Sequence, residues 1–271
     1  MNIFKNSAAL QKWVLSKKRQ GSKIALVPTM GYLHDGHLSL IKKAKTLKAD
    51  EIIVSIFVNP TQFCPGEDFE KYPRDEKADL AKCRQAGATA VYIPSAKDVY
   101  EKDHSVYVDE TRLSVGLCGA RRPGHFRGVC TVVTKLFNIS QADVAVFGRK
   151  DYQQAAIIKR MVRDMNFPVK IVVAPIVREK SGLAMSSRNT YLSEIEKENA
   201  LEISRSLRLL KSKAIKFSHL TSRLKASGLK VDYIEAVNAD TLEKVANPKK
   251  GDVVLIAAYS GKTRLIDNIT L

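Results

Sequence analysis

Short apolar runs alternate with segments of helical periodicity through the first two thirds of the chain. The apolar runs are rich in β-branched residues and predict buried strands at residues 24–27, 52–58, 90–93, 144–147 and 169–173. Between these runs, apolar residues recur at the three- and four-residue spacing of helices. Strand–helix alternation of this kind predicts an α/β fold, a parallel sheet covered on both faces with ligands at the carboxyl ends of its strands.

The pattern changes near residue 177. Residues 193–216 predict a long charged helix, with Ser193 as its cap and Glu196 three residues later. A second short helix and strands at 231–237, 253–259 and 263–269 follow. We therefore predict two domains, a larger one at residues 1–177 and a smaller C-terminal α+β domain at residues 178–271.

Composition narrows the class of protein. No apolar run approaches the roughly 20 residues that cross a bilayer, and residues 1–20 are charged throughout, so we expect no membrane association and a cytoplasmic location. The four cysteines show neither CxxC spacing nor histidines at zinc-finger spacing, and we interpret them as free, mostly buried thiols: Cys64, Cys83, Cys118 and Cys130.

The net charge of +17 has two interpretations. It is typical of a nucleic-acid surface, and equally of a solvated basic exterior around a site for small anions. Lysines and arginines are scattered from Lys12 to Arg264 without a basic tract. Because nucleic-acid surfaces cluster their charge, the scatter favours the solvated exterior and predicts no nucleic-acid partner.

His34-Asp35-Gly36-His37 follows the first predicted strand and is the most informative motif of the chain. The unpaired N–H groups at a helix start favour an anion, and a histidine can hydrogen-bond or protonate a phosphate oxygen. Gly36 lets the backbone approach a ligand closely. The motif predicts a site for nucleotide phosphates; the alternative is two histidines on a surface turn.

Polar residues also follow the second and fourth predicted strands. Asn59 and Gln62 offer neutral donors and acceptors for a hydroxyl or carboxylate, although Asn59-Pro60 alone is also typical of a simple turn. Lys150 is predicted in the first turn of a helix, where it can reach a phosphate or merely be solvated, and Gln154 one turn beyond. Residues 121–129 are expected to open a helix that begins near Val129.

A last polar segment, residues 180–189, follows the final strand of the larger domain. Its adjacent hydroxyls and arginine can wrap phosphates and stabilise charge that develops during transfer. The alternative for this segment is a polar turn between domains.

These motifs together resemble a known family. HxGH with a downstream Met-Ser-Ser-Arg loop resembles the HIGH and KMSKS elements of nucleotidylyltransferases and class I aminoacyl-tRNA synthetases. Within that group, the order and spacing of five segments resemble the pantoate–β-alanine ligases over essentially the whole chain: PTMGYLHDGH, FVNPTQF, RPGHFRGV, KDYQQ and GLAMSSRN.

The resemblance implies a Rossmann-like N-terminal domain, a smaller C-terminal lid domain and a homodimer. It also implies two half-reactions. The carboxylate of pantoate attacks the α-phosphate of ATP to give pantoyl adenylate and pyrophosphate, and the amine of β-alanine then displaces AMP to give pantothenate.

The resemblance also assigns site residues. The catalytic group comprises His37 as proton donor, His34 and Lys150; Gln62 and Gln154 bind pantoate, and Gln62 also serves β-alanine. The ATP contacts are Met30, Gly31, Tyr32, Leu33, His34, Asp35, Gly36, His37, Gly148, Arg149, Lys150, Asp151, Val177, Met185, Ser186, Ser187 and Arg188. Mg²⁺ would bridge the phosphates; Asp79 is the one carboxylate considered as its helper, and no protein metal site is predicted.

One position departs from the family. Arg149 stands where the family usually has Glu or Gln, which leaves the reaction class intact because Lys150, Asp151 and Gln154 remain. Two other functions stay open at this point. Another HxGH nucleotidylyltransferase shares the first motif but does not explain FVNPTQF and KDYQQ together, and a basic RNA-binding protein rests on the net charge alone.

Overall fold

The computed structural model describes all 271 residues, and they form two compact units. One unit comprises Met1–Arg149 with Gln154–Pro175, and the other comprises Lys150–Gln153 with Ile176–Leu271. The chain therefore passes between the units three times. The predicted domain boundary after residue 177 stays a prediction.

The first unit alternates strands and helices. Its elements are β1 (Asn2–Phe4), α1 (Ser7–Arg19), β2 (Ile24–Thr29), α2 (Asp35–Thr46), β3 (Glu51–Ile56), α3 (Glu76–Ala86), β4 (Ala90–Tyr92), α4 (Ala96–Val99), α5 (Leu117–Arg121), α6 (His125–Ser140), β5 (Val144–Gly148), α7 (Tyr152–Asp164, whose first two residues belong to the second unit) and β6 (Lys170–Ala174). A short 3-10 turn at Pro60–Gln62 follows β3.

All six strands of this unit lie in one parallel sheet in the order β1-β4-β3-β2-β5-β6. From β2 the chain steps outward through β3 and β4, and it then returns to place β5 on the other side of β2. Such a reversal leaves a crevice at the carboxyl ends of the two strands, which is where open α/β sheets bind ligands. The predicted parallel α/β sheet is confirmed, and its switch point lies between β2 and β5.

The second unit is a small α+β layer. Its elements are α8 (Glu194–Lys211), α9 (Leu220–Ala226), β7 (Lys230–Val237), β8 (Val253–Ser260) and β9 (Thr263–Thr270). The three strands form an antiparallel sheet in the order β7-β8-β9, and buried leucines of α8 and α9 share a core with β8. Ser193 and Glu196 form the predicted reciprocal cap: the Ser193 N–H donates to the Glu196 carboxylate at 2.8 Å and the Glu196 N–H to the Ser193 hydroxyl at 3.3 Å.

The five predicted strands of the parallel sheet are confirmed with small differences at their ends, and β1 and α1 were not predicted. Three helix boundaries were wrong. Helix α6 begins at His125 and not near Val129, because Gly124 adopts a left-handed φ of 80° that turns the chain into the helix. Lys150 lies before α7, which begins at Tyr152. Helix α8 ends at Lys211 rather than 216, since Lys213 is left-handed at φ 60°.

All four cysteines are thiols outside any disulfide, and three are buried, as predicted. Burial raises the pKa of both the Cys83 and Cys130 thiols to about 12. Because the thiolate is the reactive form, these two side chains act as small apolar core groups.

Candidate active site

The HxGH turn connects β2 to α2, and its backbone is held by hydrogen bonds to the buried carboxylate of Asp79. Gly31 and Tyr32 have φ of 83° and 50°, so the backbone reverses tightly after Thr29. The Tyr32 and Leu33 N–H groups donate to the two Asp79 carboxylate oxygens at 2.8 and 2.7 Å. A Cβ on Gly31 would lie 3.0 Å from one of those oxygens and 2.9 Å from Ile56, so the turn requires glycine there.

Asp79 therefore does not fit the magnesium role considered for it. Its side chain is 1% exposed, and each oxygen already accepts a backbone hydrogen bond. Burial raises the pKa of this carboxyl, against the lowering effect of the hydrogen bonds from Leu33 and Tyr32. The chain has no group of three His, Cys, Asp or Glu side chains arranged to hold a metal ion.

The two histidines lie side by side at the start of α2. His34 is the residue before the helix and His37 lies in the first turn, as predicted, with ring centroids 4.0 Å apart. The His34 N–H donates to His37 Nδ1 at 3.3 Å. Because Nδ1 is the acceptor, a neutral His37 carries its proton on Nε2 and presents that atom as a donor.

Strand β5 lies next to β2 in the sheet. Ala25 and Leu26 of β2 pair with Val144 and Ala145 of β5, so the two strands run in register toward their carboxyl ends. Gly148 ends β5, and the Arg149 N–H donates to the Ala174 carbonyl of β6 at 2.9 Å. Gln154 lies in the first turn of α7, and Gln153 beside it is buried.

Gln62 is oriented by a chain of hydrogen bonds. The Tyr100 and Thr61 hydroxyls donate to Asn59 Oδ1 at 2.8 and 2.9 Å, so the Asn59 amide must direct its Nδ2 to Gln62 Oε1 at 3.1 Å and to the Gly128 carbonyl. Gln62 Nε2 then points to Met30 Sδ at 3.0 Å. Because sulfur is a weak hydrogen-bond acceptor, Gln62 Nε2 can exchange this contact for a bond to an oxygen of a ligand. The Asn59 side chain is thus more than a turn residue.

The main chain of Gln62 is held from α6. Nδ1 of His125 donates to the Gln62 carbonyl at 2.7 Å. Arg122 donates to Nε2 of the same histidine at 2.9 Å. Arg122 also forms two bonds to the Glu67 carboxylate, at 2.6 and 2.7 Å. Both His125 nitrogens are occupied, which makes it a structural residue. A Cβ on Gly128 would lie 2.3 Å from the Thr61 carbonyl oxygen, so α6 approaches this turn as closely as only glycine permits.

The second unit carries the remaining predicted ATP contacts. Met185 N–H donates to the Val177 carbonyl at 3.0 Å, which brings two of these residues together. Asn189 Nδ2 donates to Glu179 Oε1 at 2.6 Å and to the Ala184 carbonyl at 3.1 Å, closing the 178–189 loop on itself. Ser187–Tyr191 form a short 3-10 turn capped by Ser186, whose Oγ accepts the Arg188 N–H at 3.3 Å.

The structure thus groups the predicted residues into two sets. Met30–His37, Gln62, Gly148, Arg149 and Gln154 belong to the first unit, and Lys150, Asp151, Val177 and Met185–Arg188 belong to the second. Asn59, Asp79, Arg122 and His125 were not assigned these supporting roles from the sequence. Each of the four forms at least one bond to a residue that is distant in the chain, and no local pattern indicates such a partner.

The fold and these turns place the chain in the class of Rossmann-like α/β proteins with a small antiparallel C-terminal sheet. The model of the family described as "Pantoate-beta-alanine ligase" matches residues 2–270, and the chain belongs to that family. The predicted enzyme class, a ligase, is confirmed.

Similar proteins agree. The chain is 54% identical to a pantothenate synthetase of Clostridium novyi, over 96% of this chain and 94% of that one, and 48% identical to one of Myxococcus xanthus, over 99% and 96%. A solved pantothenate synthetase of Thermus thermophilus superposes with a TM-score of 0.91 at 36% identity, covering 100% of this chain and 99% of that one. A Francisella tularensis pantoate-beta-alanine ligase, solved in complex with "Beta-gamma ATP and Beta-alanine", gives 0.87 at 38% identity, covering 100% and 97%. None of the helices has both the length and the apolar character needed to span a bilayer.

Proposed function

We propose that this chain condenses pantoate with β-alanine at the expense of ATP, through a pantoyl-adenylate intermediate, and releases pyrophosphate and AMP. Membership of the ligase family supports the overall reaction, and the Francisella relative was solved with an ATP ligand and β-alanine. The observation that carries the proposal is the HxGH turn at the switch point of the sheet, where the Nδ1 of His37 is an acceptor and leaves Nε2 as the donor of the neutral ring at a helix N-terminus.

In the first half-reaction, a carboxylate oxygen of pantoate attacks the α-phosphorus of ATP. The bond from that phosphorus to the bridging oxygen breaks, and pyrophosphate leaves with its electrons. His34, His37 and Lys150 are proposed to neutralise charge on the phosphate oxygens, because preorganised donors at developing charge are the largest contribution to such transfers. The backbone of residues 30–37 and Ser186, Ser187 and Arg188 are proposed to position the nucleotide.

In the second half-reaction, the uncharged amine of β-alanine attacks the acyl carbon of the adenylate. The acyl–oxygen bond breaks, AMP leaves with its electrons, and the proton of the attacking nitrogen passes to solvent. Gln62 Nε2 is proposed to hold the oxygens of pantoate through both steps, together with Gln154. Two hydrogen bonds support that role: the one from Asn59 to Gln62 Oε1 fixes which end of the side-chain amide is presented, and the one from His125 to the Gln62 carbonyl fixes the main chain.

Mg²⁺ is proposed to accompany ATP on its phosphates, without a protein carboxylate cluster. We further propose a homodimer, on the family resemblance, which sedimentation of the purified chain tests directly. The cytoplasmic location stays a prediction.

Isotope exchange tests the mechanism. With pantoate, ATP and Mg²⁺ but no β-alanine, labelled pyrophosphate should enter ATP, and addition of β-alanine should yield equal amounts of AMP and pantothenate. Omitting pantoate is the matched control and should abolish exchange. Exchange that requires β-alanine would exclude a free adenylate step. Formation of a dinucleotide product instead would favour another HxGH nucleotidylyltransferase, and salt-resistant filter binding of RNA would favour the RNA-binding alternative.

A further inference from the structure

Lys150 lies in the turn after β5 of the parallel sheet, yet Lys150–Gln153 belong to the C-terminal unit. Two hydrogen bonds hold this turn there. Asn268 Nδ2, on β9, donates to the Lys150 carbonyl at 3.0 Å, and the Tyr152 hydroxyl donates to the Ala239 carbonyl at 3.0 Å. The turn that carries the proposed phosphate-binding lysine is therefore anchored to the small antiparallel sheet.

The 178–189 loop is anchored to the same strand. Arg178 donates through Nη1 and Nη2 to the two Asp267 oxygens, at 2.6 and 3.0 Å, and its Nη1 also donates to the Gly182 carbonyl at 3.3 Å. The Asp267 side chain is 3% exposed. A two-pronged arginine–carboxylate pair of this kind fixes orientation as well as distance.

Asp267 and Asn268 are consecutive residues of β9, and both are buried. Successive side chains of a strand point to opposite faces, so the two contacts leave the strand in different directions. The Asn268 N–H also donates to Asp267 Oδ1 at 2.8 Å, which couples the two residues directly. Two adjacent residues of one strand thus set the relative placement of the Lys150 turn and the 178–189 loop.

We propose that Asp267 and Asn268 are positioning residues that hold Lys150 and the Ser186–Arg188 segment in one fixed arrangement for the phosphates of ATP. The inference rests on the proposed function, which gives both segments the same ligand. Neither Asp267 nor Asn268 is proposed to touch the nucleotide. They act through Lys150 and Arg178, so their effect must disappear when the residue they position is removed.

A double-mutant cycle tests this dependence. Asn268→Asp keeps the shape of the side chain but replaces the N–H donor with an acceptor that faces the Lys150 carbonyl. The single-turnover rate constant for adenylate formation should fall about tenfold to hundredfold, as small displacements of reacting groups do. In a Lys150→Ala background the same substitution should change that rate constant less than about twofold, because coupled residues are not additive.

Asn238→Asp is the matched control. It makes the same change in the same unit, but the Asn238 Oδ1 that accepts the Asp240 and Thr241 N–H groups is retained in aspartate. Its rate constant should equal that of the unmodified chain. If Asn268→Asp lowered the rate constant by the same factor in the unmodified chain and in the Lys150→Ala variant, Asn268 would have a general structural role. That result would overturn the proposal. If Asn268→Asp does not fold, Asn268→Ala takes its place in the cycle.

Hydrogen exchange of the full chain without substrates gives a readout that is independent of activity. Amides at residues 150–153 should exchange at least about threefold faster in Asn268→Asp, and those at 178–188 in Asp267→Asn, with neither change in Asn238→Asp. Unchanged exchange in both segments would overturn the proposal even if activity fell. Absence of ligase activity in the unmodified chain would instead refute the proposed function. The hydrogen-exchange rates would then still decide whether Asp267 and Asn268 hold the two segments.

Discussion

The HxGH turn and the 178–189 loop are both proposed to bind ATP, but they are built differently. The turn places two histidines at a helix start, and one buried carboxylate, Asp79, fixes its backbone by accepting the Tyr32 and Leu33 N–H groups. The loop presents side chains, and it is held by an ion pair between residues 89 positions apart and by an amide that closes it on itself. The turn is therefore held by main-chain donors that bond to one carboxylate, whereas the loop is held by pairs of side chains.

Asp79→Ala should have the largest effect. The buried Leu33 N–H and the partly buried Tyr32 N–H would lose their acceptor, which costs about 1–3 kcal/mol each, so the free energy of unfolding should fall by about 2–6 kcal/mol and activity should be lost. Urea unfolding measures the change. Asp75→Ala removes only the exposed cap of α3, where Asp75 accepts the Ala78 N–H, and should cost about 1 kcal/mol with activity retained. Equal losses for the two variants would contradict the role of Asp79.

His37→Ala should slow the reaction without unfolding the chain. Removal of one preorganised donor costs about 10²–10³ in rate, or about 3–4 kcal/mol of barrier. Pyrophosphate exchange and the thermal midpoint are the two measurements. His219→Ala, at an exposed position of the other unit, makes the same change and should leave both unaltered. Normal turnover in a folded His37→Ala variant would remove His37 from the mechanism.

Arg178→Lys tests the side-chain half of the comparison. Lysine keeps the charge but loses the two-pronged contact with Asp267, so stability should fall by about 1.5–3 kcal/mol and KM for ATP should rise. Arg264→Lys disturbs the comparable pair with Asp232 on the same small sheet. It should cost similar stability while KM for ATP stays constant. If KM for ATP rose in both variants, the rise would reflect the lower stability of the unit and not the loss of the contact between Arg178 and Asp267.

The Glu67–Arg122 pair, which supports Gln62, should give a pH-dependent contribution. Burial alone would raise the pKa of Glu67, but the hydrogen bond and charge of Arg122 outweigh it and hold that pKa below 4.5. A lowered folded-state pKa contributes stability above the unfolded value that is lost as the pH falls through the folded one. The difference in urea midpoint between the unmodified chain and Glu67→Gln should therefore be present at pH 7 and vanish in acid below the folded pKa. Solvent screening keeps it under about 1 kcal/mol. A difference that grows in acid would contradict this sign.

Among the substitutions tested by kinetics, Arg149→Glu should have the smallest effect on kcat. The Arg149 N–H is bonded to the Ala174 carbonyl, and its long side chain is expected to point away from the phosphates or over the ribose. We predict a kcat within about tenfold, roughly 1.4 kcal/mol of barrier. Arg163→Glu, on an exposed face of α7, controls for the change of charge. A larger loss with unchanged thermal stability would make Arg149 a phosphate ligand.

The sequence predicted what depends on local pattern. The strands around Ile24 and Val144, the HxGH helix start and the Ser193 cap follow from apolar runs and capping chemistry within a few residues. The predicted starts of α6 and α7 differ from the observed starts at His125 and Tyr152, because glycine geometry and tertiary contacts override helix propensity there. The bonds of Asp79 to Tyr32 and of Asn268 to Lys150 join residues 47 and 118 positions apart, and no periodicity encodes them.

The return of Lys150–Gln153 to the second unit limits how this chain can be dissected. A fragment that starts at Ile176 would leave the Asn268 amide and the Ala239 carbonyl without the partners they have in the intact chain. A chimera that takes only residues 176–271 from a relative would combine the Lys150 turn of one protein with strand β9 of another. A fragment or a chimera keeps these contacts only when it includes residues 150–153 together with residues 176–271. The second unit is therefore encoded by two separate stretches of the gene.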